Sequence, residues 1–531
     1  MNSNFDLLIR DGLLYDGTLT EPVVCDIGIR DGKVALIGRL RSKTAAVVIE
    51  AKGLAVCPGF IDVHSHSDFT IMADPRSEGK LLQGITTEIN GNCGMSAAPL
   101  GERVYDRRKE DLRELGISAR WSTFGEYFAI LEDLGVAVNV AFLAGHGNIR
   151  GSVLGYNSKE PTGKQLSEMS ALLDEALEQG AIGLSTGLIY PPGVYSRTDE
   201  LVHLSRGLSK AGLIYASHMR SEGDRLEEAI GEVLQIGRNA GVRVHVSHLK
   251  TAGQRNWRKA GRVIALLEAA AADGVRVTCD RYPYVASSTD LDSVLPVWAY
   301  DGGNEAELKR LTNPEDRGKI VAELREQANL PGYWERVVVS TVSREGNRWM
   351  EGKTIAEISR ATVSDEIETL IGLLVQERLR VGAIFRSMSE ENLRRFLALP
   401  FCMIGTDSSA RCFDGPTRQG KPHPRGFGTF ARLMGRYVRE EKVLSLAEAV
   451  HKSTALAART FGLEGRGLLA PGHFADVVVF DPAEIKDAAT FEDPFRKPEG
   501  IPYVLVNGIP SVWEGEITGK RAGRVLRRKS T

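Results

Sequence analysis

Residues 242–250 read VRVHVSHLK: β-branched residues alternate with polar ones, and the run closes on a histidine and a lysine. Such a run is a short strand whose last side chains emerge at its C-terminal end. On period two, the even positions Val242, Val244, Val246, His248 and Lys250 share the face expected to point inward, with His245 turned toward the covering helices as a structural residue. Seven more runs have the same form: CPGFIDVHSH, ITTEINGNC, VAVNVAFLAGH, AIGLSTG, LIYASH, VRVTCDRYPY and FCMIGTDSS. Helical patterns such as KQLSEMSALLDEALEQGA separate them. Successive strand ends at 187, 218, 248 and 280 are 31, 30 and 32 residues apart, the length of one βα unit. Eight strands alternating with helices predict an α/β fold, a closed (β/α)8 barrel.

The last interval, from 280 to 407, is 127 residues long and leaves room for an insertion over about 286–395. Excursions of that length on the active-site side are often lids. Both chain ends carry short β runs with turn punctuation, FDLLIRDG and CDIGIRDG at the start and ADVVVFDP and YVLVNGIP near the end. The expected domains are therefore 1–57 and 466–531, together one small β-sandwich, around a barrel over 58–465.

Composition narrows the function. The 531 residues hold 67 Lys+Arg against 69 Asp+Glu, a net charge of −2, which argues against a nucleic-acid or membrane-surface partner. No leader pattern and no long apolar run is legible, so a cytoplasmic location is expected. Six scattered cysteines do not resemble a disulfide framework. The basic tail (Lys520, Arg521, Arg524, Arg527, Arg528, Lys529) reads as solvated.

Barrel enzymes place their chemistry at strand C-termini. Here those ends carry His64 and His66, Cys93, His218, His248 and Asp407. Imidazole and thiolate are zinc donors, and a catalytic zinc keeps one position open for water. Cys93, His218 and His248 supply such a set, with His64 and His66 completing it or forming a second, weaker site. Zinc lowers the pKa of water from 15.7 to about 7, and Asp407, with no positive neighbour in GTDSS, is placed to accept and return a proton. Parity also places Asp62 inside the barrel, where its buried carboxylate needs an unnamed partner. His146 in AGHG admits both a pocket-facing and a structural reading, while His203, His423, His451 and His473 read as structural.

These stretches, with GNCG, HPRGFGTF and GLLAPGHFADVVVFDP, resemble the N-acyl-D-amino-acid deacylases (D-aminoacylases) of the amidohydrolase superfamily. The resemblance implies a tight zinc at Cys93, His218 and His248, a partly filled second site near His64 and His66, and Asp407 as acid/base. It also implies a substrate-carboxylate clamp of Lys250, Tyr282 and Arg425. Hydrolysis of N-acyl-D-amino acids is the expected activity. A cyclic-amide or dipeptide hydrolase and a non-catalytic barrel scaffold are the alternatives, and the lack of a lysine in strand four argues against the first.

Overall fold

Eight short parallel strands form at the eight apolar runs: β1 Phe60–Asp62, β2 Ile85–Asn90, β3 Asn139–Phe142, β4 Gly183–Gly187, β5 Ile214–His218, β6 Arg243–Val246, β7 Val277–Arg281 and β8 Cys402–Ile404. The computed structural model describes residues 4–528, so Lys529 of the basic tail lies outside the described residues. Each strand pairs in parallel with the next, β3 reaching β4 through its continuation Ala144–Gly145. The ring closes between β8 and β1, where the Asp407 amide donates to the His64 carbonyl at 2.7 Å and Ser65 bridges Ser408.

Side chains from most of the strands meet in one interior cluster that includes Ile61, Val63, Ile89, Ala141, Leu143, Ile214, Ala216 and Met403. Leu456 and Phe461 of helix Ala455–Phe461 join it. The outer helices bury one stripe each. In Gly163–Glu178 the buried residues Met169, Leu173, Ala176 and Leu177 follow helical spacing, and Thr162 with Gln165 forms a capping box at its start. Burial of each such leucine stabilises the fold by roughly 1.5–3 kcal/mol.

Three expectations need correction. In β6 the alternation is real but its sense is reversed: Val244 and Val246 pack outward in the main helix–sheet core, while His245 Nε2 lies 2.8 Å from Asp280 Oδ2 of β7 and the His245 ring packs on Phe461. The strand ends at Val246, and His248 sits at φ +36°, so the turn breaks the pleat and returns His248 to the pocket. Asp62 faces out of the barrel, between the inward Ile61 and Val63, and meets Lys80 of helix Glu78–Leu81 at 2.7 Å. The basic tail is not free in solvent, because the Val140 amide donates to Arg524 O (2.9 Å) and the Leu526 amide to Val140 O (2.7 Å), docking its backbone beside β3.

Hydrogen bonds link nine strands from the two chain ends into one sheet, with Ala55–Pro58 lying between Phe5–Leu14 and Val477–Phe480. Between β7 and β8, an antiparallel sheet of Ser287–Asp290, Val381–Phe385 and Val337–Val342 carries helices that include Pro314–Gln327 and Glu366–Gln376. This segment has its own apolar core, with Leu291, Ile320, Val339, Leu370 and Leu374 buried together. Its first strand reaches the pocket described next.

Candidate metal centre and active site

Cys93, His248 and Asp407 all hold left-handed backbone angles, with φ of +54°, +36° and +50°. Such conformations cost non-glycine residues on the order of 1–3 kcal/mol each and persist where surroundings impose them. For Cys93 the cause is the Gly91-Asn92-Cys93-Gly94 turn, wedged between β3 and β4. A Cβ on Gly91 would lie 2.0 Å from Leu143 O, and one on Gly94 2.6 Å from Gly187 N. Only glycine permits that approach, and the wedge aims the thiol into the barrel mouth.

There the donors converge. Cys93 Sγ lies 3.3 Å from His64 Nε2 and 3.4 Å from His248 Nε2. His66 Nε2 is 3.1 Å from Asp407 Oδ1, and His64 Nε2 is 3.6 Å from the same oxygen. The His218 and His248 ring centroids are 4.4 Å apart. His218 is buried, and neither ring nitrogen makes a hydrogen bond among the described residues, Nε2 lying 3.9 Å from Glu222 Oε2; a polar group left so is of the kind a bound cation satisfies. Close-set imidazoles, one thiol and two carboxylates form three overlapping clusters: His64, Cys93 and His248; His64, His66 and Asp407; His218, Glu222 and His248. The chemistry of this donor set fits zinc.

Carboxylates behind the imidazoles orient them. His64 Nδ1 donates to Asp280 Oδ2 (3.1 Å), and His248 Nδ1 lies 2.9 Å from Glu222 Oε1. Each ring thus keeps Nε2 toward the cluster, as metal-binding histidines usually do. Sequence reasoning missed both acids. Asp280 was legible as a strand-end residue, and Glu222 lies four residues after His218, but only the fold brings either to an imidazole.

Electrostatics favour an ionised thiolate and an ionised carboxylate beside basic imidazoles. Burial pushes the Cys93 thiol up, yet His64 and His248 hold it well below the ordinary thiol value. Burial likewise disfavours charge on His64, but Asp280 and Cys93 raise its basicity well above that of free imidazole. Burial opposes the Asp407 carboxylate, but Arg425, with Nη1 at 2.8 Å from Oδ2, acts together with His248, His66 and His64 to hold the acid well below the usual range. The positive neighbour that GTDSS lacks therefore arrives from the far side of a loop, at the first turn of helix Arg425–Arg432.

Lys250, Tyr282 and Arg425 do come together. The Arg425 guanidinium sits 4.6 Å over the Tyr282 ring, and Lys250 Nζ is 6.0 Å from it. Lys250 is paired with Glu222, whereas the buried Tyr282 hydroxyl has no partner among the described residues. His423 carries the Arg425 turn: its Nδ1 accepts the Arg425 amide (3.0 Å) and its Nε2 donates to Ala286 O (2.9 Å), while burial and Arg425 keep the ring neutral. His146 is not among the pocket-lining residues, and its Nε2 lies 2.7 Å from Glu200 Oε1. The cavity is about 350 Å³, lined by His66, Cys93, His218, His248, Asp407 and Arg425 and on the insertion side by Ser287–Asp290.

A parallel barrel with an imidazole–thiolate cluster and an ionised carboxylate at its mouth defines a metal-dependent hydrolase class. The model of the amidohydrolase family matches residues 47–512, and the chain belongs to that family. It is 36% identical over 524 residues to D-aminoacylase of Alcaligenes xylosoxydans xylosoxydans, covering 99% of this chain and 98% of the relative. It is also 36% identical over 531 residues to N-acyl-D-glutamate deacylase of the same organism, covering 100% and 98%. In three dimensions it resembles N-acyl-D-glutamate deacylase from Bordetella bronchiseptica, solved with zinc and a phosphonate mimic of the tetrahedral intermediate, at TM-score 0.83 and 34% identity over 99% and 100% of the two chains. Within its family the chain groups with the N-acyl-D-amino-acid deacylases.

Proposed function

We propose that this protein hydrolyses N-acyl-D-amino acids to a carboxylate and a free D-amino acid. The observation that carries this reading is the juxtaposition, in one pocket, of the Cys93/His64/His248 cluster, the ionised Asp407 and the Arg425–Tyr282–Lys250 group. Cys93, His218 and His248 would hold the tight zinc, with His64 and His66 beside Asp407 at a second position. When bound, zinc supplies Lewis-acid polarisation of the amide carbonyl and acidification of water.

The chain's own groups do the rest. Asp407, kept anionic by the neighbouring His66, His64 and His248, takes a proton from the attacking water as its oxygen bonds to the acyl carbon. The same proton is delivered to the nitrogen as the C–N bond breaks, so the amine leaves neutral. Arg425, Lys250 and Tyr282 clamp the substrate α-carboxylate, and the Tyr282 hydroxyl gains the partner it lacks in the free protein. A carboxylate clamp on one side and the reacting carbonyl on the other fix the configuration of the carbon between them. In the free protein Arg425 and Lys250 hold Asp407 and Glu222, so substrate binding exchanges partners. The same reading takes 58–465 as the catalytic barrel, 286–395 as its lid, and 1–57 with 466–531 as a terminal β-sandwich.

The test is a panel of N-acetyl-D- and N-acetyl-L-amino acids, with metal stoichiometry measured on the same sample. Turnover of D substrates by zinc-containing protein is expected. Turnover of L substrates alone, or full activity in metal-free protein, rejects the proposal.

A further inference from the structure

Four lysine and arginine side chains line the pocket: Arg108, Lys250, Arg411 and Arg425. Three are matched to acids. Lys250 holds Glu222, Arg425 holds Asp407 at 2.8 Å, and Arg108 is 3.4 Å from Asp111. Arg411 differs. Its Nη1 donates to Thr417 O (3.2 Å) and Gln419 O (3.3 Å), carbonyls of its own loop, and no carboxylate pairs with it among the described residues. Burial brings its basicity down to about 10 with no acid to offset the cost, so it is cationic at neutral pH. Arg411 is half-buried in the pocket wall, so its uncompensated charge is open to an anion that enters the cavity.

Resting on the deacylase reading, we infer that Arg411 binds a second carboxylate of the substrate, distinct from the α-carboxylate, so that the preferred substrates are dianionic. Arg411 follows Asp407 by four residues and shares the pocket wall with Phe69 and Ser409, whereas the clamp at Arg425 and Lys250 is already matched to the α-carboxylate. The second carboxylate has two sources on an N-acyl-D-amino acid: an acidic D side chain, or a dicarboxylic acyl group. The guanidinium fork suits either through paired N–H donors.

The experiment compares kcat/KM for N-acetyl-D-glutamate, N-succinyl-D-alanine and N-acetyl-D-alanine in the zinc-containing wild type, Arg411→Gln and Arg411→Lys. One dianionic substrate should be preferred in the wild type, and which one assigns the carboxylate to the side chain or the acyl group. Arg411→Gln should lower kcat/KM for that substrate by roughly 10- to 100-fold, the size of a lost charged hydrogen bond, with less than about a threefold change for N-acetyl-D-alanine. Arg411→Lys, which keeps the charge and a donor for the loop carbonyls, should recover part of the loss. The inference is overturned if the wild type favours neither dianionic substrate, or if Arg411→Gln lowers all three equally. If no N-acyl-D-amino acid is cleaved at all, the deacylase reading itself fails.

Discussion

Replacing Lys80 by methionine removes the one cation that, among the described residues, pairs with the buried carboxylates of Asp62 and Glu88, and the cost can be worked out. Lys80 Nζ is 2.7 Å from Asp62 Oδ2 and 3.4 Å from Glu88 Oε1, and all three side chains are fully buried. It also donates to Ser65 Oγ (3.0 Å), Thr406 Oγ1 (2.9 Å) and Ser408 O (2.9 Å). Breaking a buried ion pair by deleting one partner typically costs about 3–5 kcal/mol. Burial already pushes the Glu88 carboxyl above the ordinary carboxylate value, and Lys80 is the charge that opposes this push. Without Lys80 the neutral acid is favoured further, so the penalty should shrink as pH falls. Urea unfolding followed by tryptophan fluorescence at pH 7 and 5.5 reads the loss at both values. Because Lys80 bonds residues on either side of Asp407, kcat should fall with stability while bound zinc changes little. A loss below about 1 kcal/mol at pH 7, or a loss that does not shrink at pH 5.5, would falsify the assignment of Lys80 as the counter-charge for Asp62.

Further outcomes follow from the same geometry. Tyr282→Phe should leave the unfolding midpoint unchanged, because its buried hydroxyl has no hydrogen-bond partner among the described residues, yet raise KM for N-acyl-D-amino acids by roughly tenfold; a stability loss with unchanged KM contradicts the clamp. Asp407→Asn should lower kcat by about 10²- to 10⁴-fold with zinc retained, as determined by elemental analysis, since a proton carrier is lost but the thiolate and imidazoles stay. Cys93→Ala should release the tight zinc on dialysis, and full retention would remove Cys93 from the ligand set. Glu200 is held below the ordinary carboxylate range against its burial by His146 and Arg150. Its contribution is thus present above the unfolded pKa near 4.3 and lost as pH falls through its lower folded value. Wild type should outlast Glu200→Gln in denaturant at pH 7, and the gap should close below about pH 4.

Local pattern carried the barrel a long way. Alternation of apolar strands with amphipathic helices is written in adjacent residues, so the eight strands, the insertion, the candidate ligands Cys93, His218, His248, His64 and His66 and the candidate acid/base Asp407 were all legible in the chain. In β5, period two puts Ile214, Ala216 and His218 on one face, and Ile214 and Ala216 do pack in the barrel interior. In β6 it gave the wrong one, because period two holds only within a strand, and the turn after Val246 reverses direction by a backbone angle that no residue type announces.

Pairings between distant residues were decided by tertiary structure alone. Lys80 meets Asp62, Asp280 meets His64, Glu222 meets His248, and Arg425 meets Asp407 across loops of very different length. A buried charge demands a partner wherever the closed barrel brings one within reach, and spacing along the chain does not encode that distance. Residue order therefore determined which chemical groups stand at the mouth, whereas the closure of the ring determined which of them are ionised, oriented and left free for a ligand.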